Sequence, residues 1–117
     1  MTLDNYQQAA MTTCMPSCEN AGYMLINLVG ELGELSSKIA KLIRKGQANF
    51  YDNHLHLNTQ AIDSLPELRK EAGDCLWQLA GFCKVMGWTL EEVAQENLAK
   101  LHSRQERNCI DGEGDNR

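Results

Sequence analysis

Proline is scarce in this chain of 117 residues, with only 2 present. With 43% hydrophobic and 23% charged residues, that excludes a low-complexity, collagen-like or disordered chain. Long apolar runs are missing too: Glu, Lys or Gly interrupts every one within a few residues, so no transmembrane helix fits. The opening Met1-Thr-Leu-Asp-Asn-Tyr6 has neither the basic start nor the apolar stretch of a signal peptide, so a cytoplasmic chain is expected. Basic residues are in deficit, 11 against 16 acids, for a net charge of −5. Such a surface is poorly suited to a nucleic-acid polymer, although a metal or a local basic cluster can still hold a small anion. The five cysteines, at positions 14, 18, 75, 83 and 109, form no CxxC pair of the kind zinc sites usually show. They read as free thiols of a reducing compartment. A chain of this length makes one domain and buries roughly two-thirds of its unfolded surface.

Strand-like alternation is weak and no internal repeat occurs, so the pattern is that of helices joined by one long loop. A short helix is expected over residues 3 to 11, before Pro16. A long one follows over 19–45, about 40 Å at 1.5 Å per residue. Its apolar stripe is Met24, Leu25, Leu28, Val29, Leu32, Leu35, Ile39, Leu42 and Ile43. Gly46 sits at the stop position after the basic last turn. Residues 46–63 are rich in Asn, Gln, Asp and His and read as a polar loop, long enough to suggest a functional role. Ser64 and Glu67 have capping-box spacing at the start of a third helix, which runs to residue 86. Its stripe includes Leu68, Ala72, Cys75, Leu76, Leu79, Phe82, Cys83 and Met86, and Gly87 ends it. Thr89 and Glu92 open a fourth helix to residue 107. The fold expected is all-α: one domain over 1–107 with a four-helix bundle-like core, then a flexible Gly/Asp-rich tail over 108–117. The long stripe exceeds what three helices cover, which favours self-association.

Two acidic pairs stand out. Glu31 and Glu34 lie three apart on the second helix, as do Glu71 and Asp74 on the third, so each pair projects from nearly one helix face. Both pairs border an apolar stripe. If the stripes pack together, four carboxylates converge, and their charge must be neutralised by protons or cations. All-oxygen ligands favour Mg²⁺, or Mn²⁺, over Zn²⁺. A di-iron bundle would need Glu-x-x-His pairs, and none occurs. Gly30 and Gly33 flank Glu31, and Gly73 lies between Glu71 and Asp74. Each costs a helix roughly 1 kcal/mol against alanine. Their position predicts close helix approach or room for a ligand.

Asn97, Lys100, Arg104 and Arg107 share one face of the fourth helix, an amide and three cations able to meet a polyphosphate. A basic last turn complementing the helix dipole explains Arg104 and Arg107 equally well, and Lys100 less well. Tyr23, Trp77 and Trp88 are candidates for base stacking, with packing the commoner use. His54, His56 and His102 have no metal-ligand partner set and read as surface residues.

Glu31-Leu-Gly-Glu34-Leu, Glu71-Ala-Gly-Asp74 and Asn97-Leu-Ala-Lys100-Leu-His-Ser-Arg104 together resemble the MazG-type all-α nucleoside triphosphate pyrophosphohydrolases, over residues 20–107. The ending from Arg107 through Asp115 and Arg117 is similar to a tail of a MazG-like subgroup. The resemblance implies a homodimer or homotetramer. It also implies Mg²⁺-dependent hydrolysis of a nucleoside triphosphate to monophosphate and pyrophosphate. By position it makes Glu31, Glu34, Glu71 and Asp74 the metal ligands. Asn97 and Lys100 become nucleotide contacts, with Arg104 assisting. Activated water would attack the α-phosphorus, Glu34 would align it, and Lys100 would stabilise the departing pyrophosphate. The stretch between Glu34 and Glu71 is longer than is usual in that family, and the extra residues fall in the polar loop. A non-catalytic helical interaction module and a nucleotide-binding sensor are the alternative readings.

Overall fold

The computed structural model describes residues 1–117. Four helices carry the chain: α1 (Leu3–Met11), α2 (Ala21–Arg44), α3 (Leu65–Val85) and α4 (Leu90–Glu106). Of the two capping boxes the sequence predicts, the one at Thr89 forms, and Thr2 and Asn20, which the sequence reading does not single out, cap the first two helices. The side chains of Thr2, Asn20 and Thr89 accept from the backbone N–H three residues on, and Thr89 with Glu92 closes a full capping box. Gly46 and Gly87 follow α2 and α3 at φ +70° and +78°, where a side chain would be strained. Ser64 departs from expectation. A 3₁₀ turn, Ile62–Ser64, runs straight into α3, and Ser64 is already helical with no side-chain cap bond. An N-cap needs extended backbone there, and the preceding turn removes it.

The chain is mostly helical, as the all-α reading expects, but the reading of residues 46–63 as plain loop is corrected by a small antiparallel hairpin. Strand β1 (Ala48–Tyr51) pairs with β2 (His54–Leu57), with Ala48 opposite Leu57 and Tyr51 opposite His54. Asp52 and Asn53 form the two-residue turn at φ 51° and 63°. Asp and Asn tolerate that left-handed geometry, which matches the twist of the strands. The strand signal was hidden because Phe50, Tyr51, Leu55 and Leu57 are interleaved with Asn and His.

The helices pack unequally. α2 and α3 run along each other as the main pair, α1 lies on α3, and α4 meets α1. The core gathers Met11, Ala80, Cys83 and Leu90, with Tyr6, Trp77 and Val93 against it. Only the first turn of α4 reaches this core, and the rest projects away. The radius of gyration is therefore 17.6 Å, where a compact chain of this length measures about 13 Å. The broad stripe of α2 is split. Met24, Leu28, Leu35, Ile39 and Leu42 turn inward, whereas Leu25, Ile26, Val29 and Leu32 stay exposed. No helix is long and apolar enough to cross a membrane.

Candidate metal centre

Helix α2 is locked to α3 near its start. Met24 is fully buried, and its thioether fills the space over Gly81 so closely that a Cβ at residue 81 would collide with it. Close helix approach is thus supplied by Gly81. Gly33 and Gly73 have nothing within 4 Å of the Cβ position, and Gly30 meets only Asn27. These three glycines leave open space beside the acidic pairs rather than bringing helices together.

A chain of polar contacts leads from this lock to the acids. Gln78, buried on α3, donates to Met24 Sδ (3.0 Å) and accepts from Asn27 Nδ2 (2.8 Å). Asn27 Nδ2 also donates to Glu31 Oε1 (3.2 Å). One turn further, the carboxylate oxygens of Glu31, Glu34 and Glu71 come within 4.8 Å of one another. They are the one group of three or more Glu, Asp, His or Cys side chains that converges in this way. Glu34 is exposed, Glu31 is half-buried, and Glu71 is only 7% exposed. Asp74 is exposed and lies outside this group, although its charge acts on Glu31.

The electrostatics are unbalanced. Burial, then the charges of Glu34, Asp74 and Glu71, push the Glu31 carboxyl above the ordinary Glu value, against the Asn27 hydrogen bond. Lys38 Nζ bonds Glu71 Oε1, which holds the Lys38 ammonium charged above its usual range. The other oxygen, Glu71 Oε2, is buried without any partner. An unpartnered buried acceptor costs roughly 1–3 kcal/mol. Three carboxylates with one such oxygen form a donor set suited to a hard divalent cation, which takes oxygen ligands.

The basic stripe lies elsewhere. Asn97 and Lys100 are exposed on α4. Lys100 Nζ faces Asp115 Oδ1 at 3.4 Å. Arg104 is 5% exposed, and its Nη2 donates to Gly114 O, Asp115 O and Asp115 Oδ1 at 3.2–3.4 Å. Arg117 donates in turn to Cys109 O and Ile110 O, so the last residues are folded back on α4. Within one chain, α4 is thus not brought to the acidic cluster.

Trp77 packs on the core and donates to Ala10 O and Thr13 Oγ1, which fixes it structurally. Trp88 rests edge-on against Phe82, and Tyr23 is partly exposed beside Cys18. His54 and His56 lie on β2, where His56 stacks on Tyr51, and His102 faces Glu106. All five cysteines are free. Sequence reasoning missed Asn27, Lys38 and Gln78. Asn27 and Lys38 stand four residues before Glu31 and four after Glu34, a helical spacing that marks both as neighbours of the acids.

The model of the MazG nucleotide pyrophosphohydrolase domain matches residues 20–109. "Gene 37 protein" of Mycobacterium phage L5 is 35% identical over 124 aligned positions, covering all of both chains. No solved structure matches the chain significantly. The matched span contains α2, α3 and α4 with both acidic pairs and the basic stripe, and on that ground the chain belongs to the MazG nucleotide pyrophosphohydrolase domain family.

Proposed function

We propose that this protein hydrolyses a nucleoside or deoxynucleoside triphosphate to the monophosphate and pyrophosphate, with Mg²⁺ (or Mn²⁺) held by Glu31, Glu34 and Glu71, and Asp74 beside them. The observation that carries this is the convergence of three carboxylates around a buried Glu71 with one oxygen unpaired. A structural salt bridge would need no third acid and would leave no orphan oxygen. When bound, the cation supplies positive charge to the phosphate oxygens and acidifies a water.

The chain's own residues do the rest. Glu71 is fixed by burial, and Glu31 is aimed by the Asn27–Gln78 contacts. Glu34, the exposed member, orients the water that attacks the α-phosphorus and takes its proton. The bond from that phosphorus to the bridging oxygen breaks, and the pyrophosphate leaves with the electron pair. Lys100 meets its growing charge, while Asn97 and Arg104 help to place the nucleotide. Because α4 projects away from its own acidic cluster, its stripe reaches such a site by association of two or more copies. The exposed Leu25, Ile26, Val29 and Leu32 of α2 supply an apolar face for a homodimer or homotetramer.

Incubation with a panel of ordinary and modified triphosphates plus Mg²⁺, scored for pyrophosphate, tests the reading. Pyrophosphate and monophosphate in equal amounts are expected from at least one member. Release of orthophosphate instead, or binding with no turnover across the panel, overturns it.

A further inference from the structure

We propose that Lys38 is the resident counter-ion of the acidic cluster, and that a divalent cation enters by taking Glu71 Oε1 from its ammonium. The inference rests on the metal reading above and adds what controls the loading of that site. Lys38 stands seven residues after Glu31 and four after Glu34, so all three lie on one face of α2. From there Lys38 crosses to Glu71 on α3. No other Lys or Arg pairs with the three carboxylates: Lys70 is on Glu67, Lys84 on Glu19, and Lys100 and Arg104 on Asp115.

The two partners are unequal. The Lys38 side chain is 43% exposed, whereas that of Glu71 is 9% exposed and has its second oxygen orphaned. Glu71 is therefore held in place, whereas Lys38 can withdraw into water when a cation takes over the Glu71 oxygen it holds. The Lys38 end of the pair already lies partly in water, so its withdrawal costs little once a cation takes its place. A dication that reaches the Glu71 carboxylate together with Glu31 and Glu34 offers it more charge than the ammonium does. Lys38 thus sets a threshold: the site loads only when the free cation outcompetes a tethered one. It is a positioning and loading residue, not a catalytic one.

Calorimetric titration of the full chain with Mn²⁺ alone tests this in wild type, Lys38→Met and Lys38→Arg. Lys38→Met should bind Mn²⁺ about five- to tenfold more tightly, the scale of one lost competing charge. Lys38→Arg should stay within about twofold of wild type, since it retains that charge. In EDTA, Lys38→Met should unfold at a lower temperature than wild type, because Glu71 is then buried with both oxygens unpaired. Added Mn²⁺ should raise its melting temperature by more than it raises that of wild type. Should Lys38→Met not fold, Lys38→Gln keeps a neutral donor and carries the same comparison. Unchanged or weaker Mn²⁺ binding in the neutral variant, with wild type binding normally, overturns the role of Lys38. Absence of Mn²⁺ binding in wild type itself removes the metal reading, and this inference with it.

Discussion

The acidic cluster between α2 and α3 and the basic arm of α4 treat charge in opposite ways. In the arm, the positive charges meet a carboxylate locally, although Arg104 Nε is itself buried without a partner. Asp115 lies against Lys100 and Arg104, and the hydrogen bond from Arg104, reinforced by both positive charges, holds its carboxyl below the ordinary Asp range. In the cluster, three carboxylates share a single ammonium, Glu31 is pushed up, and one oxygen of Glu71 has no partner. A closed ion pair needs no further charge, whereas an excess of like charge around a buried acid is relieved by a proton or by another cation. The imbalance thus points to where a ligand belongs. Under the proposed function, the arm has to give up Asp115 before its cations can meet a triphosphate.

The comparison breaks first at Glu71. Glu71→Gln removes the buried charge of the cluster and should lower pyrophosphate release by about a hundredfold or more, the scale of losing a central electrostatic group. Undiminished turnover would rule out its role. Lys100→Ala tests the opposite region and should lower kcat/KM for the triphosphate by roughly tenfold to a hundredfold, with the melting temperature unchanged. Equal activity in this variant would reduce the stripe to a helix-end charge pattern.

Two smaller effects separate the regions by stability. Glu31 has a raised carboxyl, so the folded state binds its proton more tightly than the unfolded state does. The ionised cluster therefore weakens the fold at neutral pH, and the penalty fades as pH falls through the raised Glu31 value and is gone below the ordinary Glu one. Glu31→Gln in EDTA should raise the melting temperature at pH 7 by roughly 2–4 °C and change little in acid. Asp115 has the reverse sign: its contribution is present above the ordinary Asp value and is lost as pH falls through its lowered one. Its side chain is 84% exposed, so Asp115→Asn should speed amide exchange over residues 108–117 and barely move global melting.

Much of this was legible in the order of residues. The helix start at Thr89 and the stops at Gly46 and Gly87 rest on local chemistry that neighbouring residues complete. The spacing of Glu31 and Glu34 is likewise a property of one helix. The hairpin escaped notice because its apolar residues are few and its turn depends on two left-handed residues that are not glycine. Asn27 and Gln78 escaped because neither is unusual alone, and they matter only through a contact between α2 and α3.

By itself the sequence determined the helical segments, their caps and which acids share a face, since these follow from periodicity and from bonds reaching three or four residues along the chain. Only the tertiary structure decided that Glu71 is buried while Asp74 is not, that Lys38 is the cation answering it, and that Arg104 binds the tail. Those outcomes depend on how deeply α2 settles against α3 at Met24 and Gly81 and on where the chain turns after α4. Both are set by packing between residues dozens of positions apart, or by a tail whose course no local signal fixes.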